Sequence, residues 1–271
     1  MLNKTIWYRA AAGKEASEMI DSAGRSEIGE KEQNEDAFRI CSEGKHGSHA
    51  FVLADGLGAY GNGELAADYV CDFVEQALKL TDYADADFVE DCFEYAQSML
   101  MLEKSFLNMP AVKTTMVLLF IRDGLASWGH IGDSRLYHFR DGRILSRTVD
   151  HSVPQMLASS GSIREEEIRH HPDRNLLLRA MGSDWERPEY EIDKREVPVL
   201  PGDWFLLCSD GFWDWIDEED MLRILKQGGD AHSLLNKMME EVRKAGSGNN
   251  MDNYTAILVN IKDGSELFWQ Q

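Results

Sequence analysis

Acidic residues stand where apolar runs end: Glu35 and Asp36 in QNEDAF, Asp55 in FVLADGLG, Asp133 in HIGDSR, Asp210 in FLLCSDGF and Asp252 in MDNYT. A carboxylate driven into a buried strand end needs a partner, because desolvating it alone is costly. Several such ends suggest one shared ligand. Hard divalent ions such as Mg2+ and Mn2+ take oxygen donors in octahedral sets, and a glycine beside an aspartate lets a backbone carbonyl approach the ion. Each motif alone has a plainer reading. Asp-Gly pairs are common turns, Asp133 could bond Arg135 or cap a turn, Asp252 could end a turn or a helix, and Asp36 could be a solvated strand end. Their joint occurrence favours a metal site.

Other chemistries find less support. His46, His49, His151, His170, His171 and His232 fall in polar segments expected to be exposed, while His130 and His138 flank a strand run; none has the spacing of a zinc helix. Structural or surface roles are expected for all eight. There is no G-x-S-x-G elbow and no G-x-x-x-x-G-K-[ST] loop. Trp213 and Trp215 read as core and rim residues beside a helix start.

The elements that must carry these acids follow from periodicity. AFRIC and HAFVLAD flank a polar stretch as a hairpin. Residues 62–80 set Leu65, Ala66, Tyr69, Val70, Phe73, Val74, Ala77 and Leu78 on one helical stripe, and 85–107 repeat the pattern. From 114 to 150, turns at Asp123-Gly124 and Asp141-Gly142 predict an antiparallel meander. Residues 153–187 read as a polar excursion with short helices. A strand at 203–209, helices near 217–227 and 230–245, and a last strand over 254–261 complete the chain. Hairpin-rich strands with grouped helices give an α+β class.

At 271 residues and 43% hydrophobic, the chain is expected to form one domain over 1–271. Its formal charge of −20 argues against nucleic acid or an anionic membrane surface as partner. A phosphorylated substrate would require the local field to be inverted, as bound divalent cations do. The four cysteines, Cys41, Cys71, Cys92 and Cys208, read as reduced core thiols. The N-terminal stretch has no long apolar run, and no later segment is long and apolar enough to span a membrane. A cytoplasmic location is expected.

Taken in order, NED, ADGLG, TT, GDSR, DHS, HPDRN, RAMG, CSDG and DNYT resemble the metal-dependent protein phosphatase family of type 2C in its compact bacterial form, from about residue 24 to 261. The resemblance implies a sandwich of two antiparallel sheets flanked by helices on both faces. It further implies hydrolysis of phosphoserine and phosphothreonine in proteins by a metal-bridging water, with two Mn2+ or Mg2+ ions and the option of a third. Carried over, Asp55 would bridge the two ions, the carbonyl of Gly56 would help hold the second, and Asp210 and Asp252 would complete the shell of the first. Of the pair Glu35 and Asp36, one binds metal directly or through water and the other orients solvent. Asp133, with Asp210, would hold the third ion. Asp36 and Asp133 are the expected catalytic positions, and 153–187 matches the family's flap.

Lys31 stands where the family usually has a phosphate-binding arginine, and a lysine lacks the bidentate fork. Lys113 replaces a glycine before the paired threonines, Ala59-Tyr60 replace a Gly-His, and Leu57 takes the place of a histidine acid. Expected partners are phosphorylated proteins and a cognate serine/threonine kinase. Two alternatives stand beside hydrolysis of many substrates: a catalytically weak domain that binds phosphoproteins or a kinase, and a phosphatase dedicated to one regulatory protein such as an anti-sigma antagonist.

Overall fold

The computed structural model describes residues 19–42, 44, 47–58, 62–80, 87–106 and 112–262. The N-terminal stretch, His46 and the Ala59-Tyr60 departure lie outside the described residues.

The strands are β1 (Met19–Glu27), β2 (Asp36–Cys41), β3 (His49–Asp55), β4 (Met116–Arg122), β5 (Leu125–Ile131), β6 (Arg135–Arg140), β7 (Arg143–Arg147), β8 (Glu191–Pro198), β9 (Trp204–Cys208) and β10 (Tyr254–Lys262). The helices are α1 (Gly63–Leu80), α2 (Phe88–Phe106), α3 (Val153–Ser159), α4 (Asp210–Trp213), α5 (Glu218–Leu225) and α6 (Ala231–Gly246), with a 3-10 helix at Glu165–His170. They build two five-stranded sheets, ordered β1-β10-β9-β6-β7 and β2-β3-β4-β5-β8. Every strand pair is antiparallel.

Alternation along the central strands explains their nearly unbroken hydrophobicity, since a strand buried on both faces has no solvent side. In β3, Ala50, Val52 and Ala54 pack under α1 and α2, whereas Phe51 and Leu53 join the layer between the sheets. In β9, Leu206 and Cys208 face α4, α5 and α6, and Phe205 and Leu207 face the other sheet. The result is a helix–sheet–sheet–helix sandwich of α+β class. The same parity carries Asp55 and Asp36 onto the intersheet face, where they stand opposite one another in register.

Most expected elements form where expected. The turns at Asp123-Gly124 and Asp141-Gly142 have all four residues at positive φ, 51°, 78°, 53° and 69°. All four cysteines are free and buried. Five expectations need correction. The meander is divided: β4 and β5 belong to one sheet, β6 and β7 to the other, and Gly132–Ser134 is the crossover. The edge strands β1 and β8 were not anticipated, because Met19–Glu27 lacks alternation and EIDKREVP is mostly charged, a composition that protects an open sheet edge. The single turn α4 was also missed, being too short to show a helical period. Leu65 lies off the buried stripe of α1 at 53% exposure. His151, expected on an exposed segment, is buried at 7%.

Candidate functional site

The sandwich brings the predicted acids to one end of the intersheet layer. Asp36 opens β2 opposite Asp55, the last residue of β3. Two carboxylates directly opposed on one sheet face repel. Asp133 sits in the crossover between β5 and β6, and Asp210 is the first residue of α4, just past β9. Asp252 lies two residues before β10, in the loop after α6.

Close backbone approach and side-chain pairing hold this end together. Gly56 packs on Gly63 at the start of α1; an added Cβ on Gly56 would lie 2.3 Å from the Gly63 carbonyl, and one on Gly58 would collide with the Glu35 carboxylate. The Gly56 amide donates to the Glu35 carbonyl at 3.0 Å. The Glu35 carboxylate accepts from the Gly63 amide. Thr115 Oγ1 takes the Asp55 amide at 2.9 Å and meets Ser134 Oγ at 2.7 Å, linking the Asp55 strand end to the Asp133 crossover. The Leu57 amide donates to the carbonyl of Lys113 at 2.9 Å. Asn253 accepts the Glu35 amide at 2.8 Å and donates to the Ile28 and Gln33 carbonyls.

The electrostatics show strain among like charges. Burial raises the Asp36 carboxyl to about 7, despite hydrogen bonds from Thr255 and Ser209. Burial, then the neighbouring Asp150, raises Asp133 to about 7. Asp55 lies well above the ordinary range, through burial and then Asp36, Asp210, Asp133 and Asp252. Asp210 is raised in the same way, by burial and then Asp133, Asp214, Asp252 and Asp36. Glu35 is raised by burial and then by Asp252.

Among the described residues no three or more His, Cys, Asp or Glu side chains are drawn into a closed metal-binding set. Mutual repulsion between these carboxylates is a physical reason for an open arrangement. The donor chemistry nonetheless suits a hard divalent ion. It consists of oxygen alone, and Asp36 Oδ1 is buried without a hydrogen-bond partner.

Lys31, the expected phosphate-binding residue, reaches one of the site acids. Its Nζ bonds Asp252 Oδ2 at 3.0 Å, both side chains being partly exposed. Arg135 does not bond Asp133; it forks onto Asp150 at 2.8 and 2.7 Å. Trp213 is buried as expected, and its Nε1 donates to the Asp133 carbonyl at 2.9 Å.

Three contributors escaped sequence reasoning. Asp214, one turn after Asp210, leaves Oδ1 buried without a partner while Oδ2 accepts from Arg174 at 3.0 Å. The i, i+4 spacing of Asp210 and Asp214 was the available signal. His151 accepts the Gly132 amide at 3.3 Å through Nδ1 and stacks on His130 with centroids 4.4 Å apart. Burial, then the charges of His130 and Arg179, push His151 down to about 3, so it stays neutral. Asn253 enters the sequence reading only as a letter of the DNYT motif, beside Asp252.

Comparison with known proteins agrees with this architecture. The family model for protein phosphatase 2C matches residues 23–254. The serine/threonine phosphatase Stp of Listeria welshimeri is 29% identical over 235 residues, covering 84% of this chain and 90% of its own. Among solved structures, the Ser-Thr phosphatase MsPP of Mycobacterium smegmatis, in complex with cacodylate, is 26% identical with a TM-score of 0.70, covering 89% of this chain and 97% of that one. Stp1 of Staphylococcus aureus has the same fold at a TM-score of 0.82 and 23% identity, covering 94% of this chain and all of that one. A match spanning most of the chain, on a sandwich of this topology, makes it a member of the protein phosphatase 2C family.

Proposed function

We propose that the chain hydrolyses phosphoserine and phosphothreonine monoesters in cytoplasmic proteins, with Mn2+ or Mg2+ as cofactor. The observation that carries this reading is the gathering of Asp36, Asp55, Asp133, Asp210 and Asp252 at one end of the sandwich, with the carboxyls of Asp36, Asp55, Asp133 and Asp210 raised and one buried oxygen, Asp36 Oδ1, unpartnered. Divalent ions bound there would polarise phosphate oxygens and lower the pKa of a bound water. Glu35, Asp36, Asp55, the Gly56 carbonyl, Asp210 and Asp252 would hold two ions, and Asp133 with Asp210 a third. Asp36 and Asp133 would orient attacking solvent. Offsetting these carboxylates also lets a phosphate dianion approach a chain of net charge −20. Lys31, released from Asp252, would lend charge to the phosphate without a bidentate fork.

The chain acts in this reading as one phosphatase domain, with 153–187 as a flap beside the site. Phosphorylated proteins, and a kinase that supplies them, are its partners. No helix among the described residues is long and apolar enough to cross a membrane. Release of phosphate from p-nitrophenyl phosphate and from unrelated phosphoserine and phosphothreonine peptides, with Mn2+ and with chelator, tests the proposal. Metal-dependent release from several peptides is expected. Binding of phosphopeptides without release would favour the non-catalytic domain, and activity on one regulatory protein alone would favour the dedicated phosphatase.

A further inference from the structure

The crossover that presents Asp133 is held through its backbone from two sides. On one, His151 donates its amide to the Gly132 carbonyl at 2.8 Å and accepts the Gly132 amide on Nδ1 at 3.3 Å. On the other, Trp213 Nε1 donates to the Asp133 carbonyl at 2.9 Å. Gly132 has φ +99°, and an added Cβ would lie 2.6 Å from Thr115 Cγ2, so this stretch has little freedom to adjust by itself.

The indole is in turn set by two guanidinium groups. Arg135 lies 3.5 Å from the Trp213 ring and is fixed by Asp150, both side chains being almost inaccessible. Arg169, from the 3-10 helix in the 153–187 excursion, lies 5.7 Å from the same ring. It donates to the Ile216 carbonyl at 2.8 Å and to Glu218 at 3.2 Å. Glu218 also accepts from Tyr137 Oη at 3.0 Å, and Tyr137 accepts from Arg135 at 3.1 Å. Arg169, Glu218, Tyr137 and Arg135 thus form a continuous chain of contacts about the indole. A cleft of about 580 Å³ is lined by these four residues together with Glu165 and Asp217.

We propose that Trp213 is the positioning residue for Asp133 and that Arg169 sets Trp213, so that the posture of the excursion is transmitted to Asp133. The inference rests on the phosphatase reading and adds to it a route from flap to site. An indole N–H fixes the Asp133 peptide plane and with it the direction in which the carboxylate leaves the backbone. A cation over the ring resists its rotation. Release of Arg169 when the excursion lifts would loosen the indole and leave Asp133 less ordered.

Three variants test this: Trp213→Phe, which keeps a buried ring and removes the donor, Arg169→Leu, and Arg169→Lys. In metal-free protein, the Trp213 indole N–H resonance, assigned by its loss in Trp213→Phe, should exchange slowly with solvent, and several-fold faster in Arg169→Leu. With Mn2+, Trp213→Phe should lower kcat about tenfold, the scale of one hydrogen bond. It should leave KM for p-nitrophenyl phosphate within about twofold and raise the half-activating Mn2+ concentration. Arg169→Leu should move the same quantities less, Arg169→Lys should restore part of the loss, and the double variant should be no worse than Trp213→Phe alone. Unchanged indole exchange in Arg169→Leu, unchanged kcat in folded Trp213→Phe, or multiplicative loss in the double variant overturns the inference while the phosphatase reading stands. A wild-type chain without metal-dependent activity overturns both.

Discussion

Asp203 and Asp210 flank the same strand, β9, and their environments are opposite. Asp203 has no exposed side-chain surface, yet its lone pairs are filled: Arg140 forks onto it at 2.6 and 2.6 Å, and the Leu200 amide donates at 3.0 Å. Burial pushes this carboxyl upward, but Arg140, His138 and the Leu200 amide reverse that and hold it well below the ordinary range. At the other end, burial and four neighbouring acids raise Asp210. One end of the strand is compensated by the protein itself. The other requires something the chain does not supply, which is how a ligand site differs from a structural ion pair.

The contrast is sharpest in substitution. Asp210→Asn or Asp55→Asn should reduce Mn2+-dependent turnover at least about a hundredfold, on the scale of weakening a metal site's supports. The same change should leave the metal-free fold intact or raise its melting temperature, since it removes one of several repelling charges. Near-normal rates at saturating Mn2+ would break the assignment. Asp203→Asn should behave the other way, costing about 3 kcal/mol of stability because it leaves Arg140 and His138 without their carboxylate, with kcat of the folded fraction unchanged. Chemical denaturation and steady-state kinetics on both variants check the pair.

Acidity should separate the two ends as well. Asp36 and Asp133 have carboxyls raised from the usual 3.8 to about 7 in the fold. A raised acid binds its proton more tightly when folded, so its contribution is fully present below the unfolded pKa and is lost as pH rises through about 7. Metal-free protein should therefore gain melting temperature between about pH 8 and about pH 5, and saturating Mn2+ should remove the gain. Asp203, being depressed, contributes stability above its unfolded pKa and loses it only as pH falls below that value. Steady loss of metal-free stability from about pH 8 to about pH 5 would show that these carboxyls are not raised in the fold.

Much of the site end was legible because its elements obey strong local rules. FVLADGLG reads as a buried strand running into an aspartate, and that strand forms as β3 with Asp55 at its end. Asp123-Gly124 and Asp141-Gly142 specified their turns chemically. What remained hidden was long-range. No local signal shows that β5 and β6 part company at Gly132, since both read as members of one meander. The charged edge strand β8 and the pairing of Arg135 with Asp150 were decided by tertiary context. So was Lys31, whose partner Asp252 is 221 positions away.

The smallest expected effect belongs to Lys31. Its bond to Asp252 is partly exposed, so Lys31→Ala should change stability by less than about 1 kcal/mol. If Lys31 also contacts phosphate, Lys31→Ala should raise KM for a phosphopeptide by about threefold or more, and Lys31→Arg should lower it. Equal KM and kcat in all three proteins would remove Lys31 from substrate recognition.

Calorimetric titration of Mn2+ into the metal-free chain, repeated in buffers of different ionisation enthalpy, bears most directly on the carboxylate end as a metal site. At least two ions should bind per chain near neutral pH, with protons released because raised carboxyls must ionise to bind, and both binding and release should be weakened in Asp55→Asn. Absence of binding to the folded chain, or binding unchanged by Asp55→Asn, would contradict a metal site there.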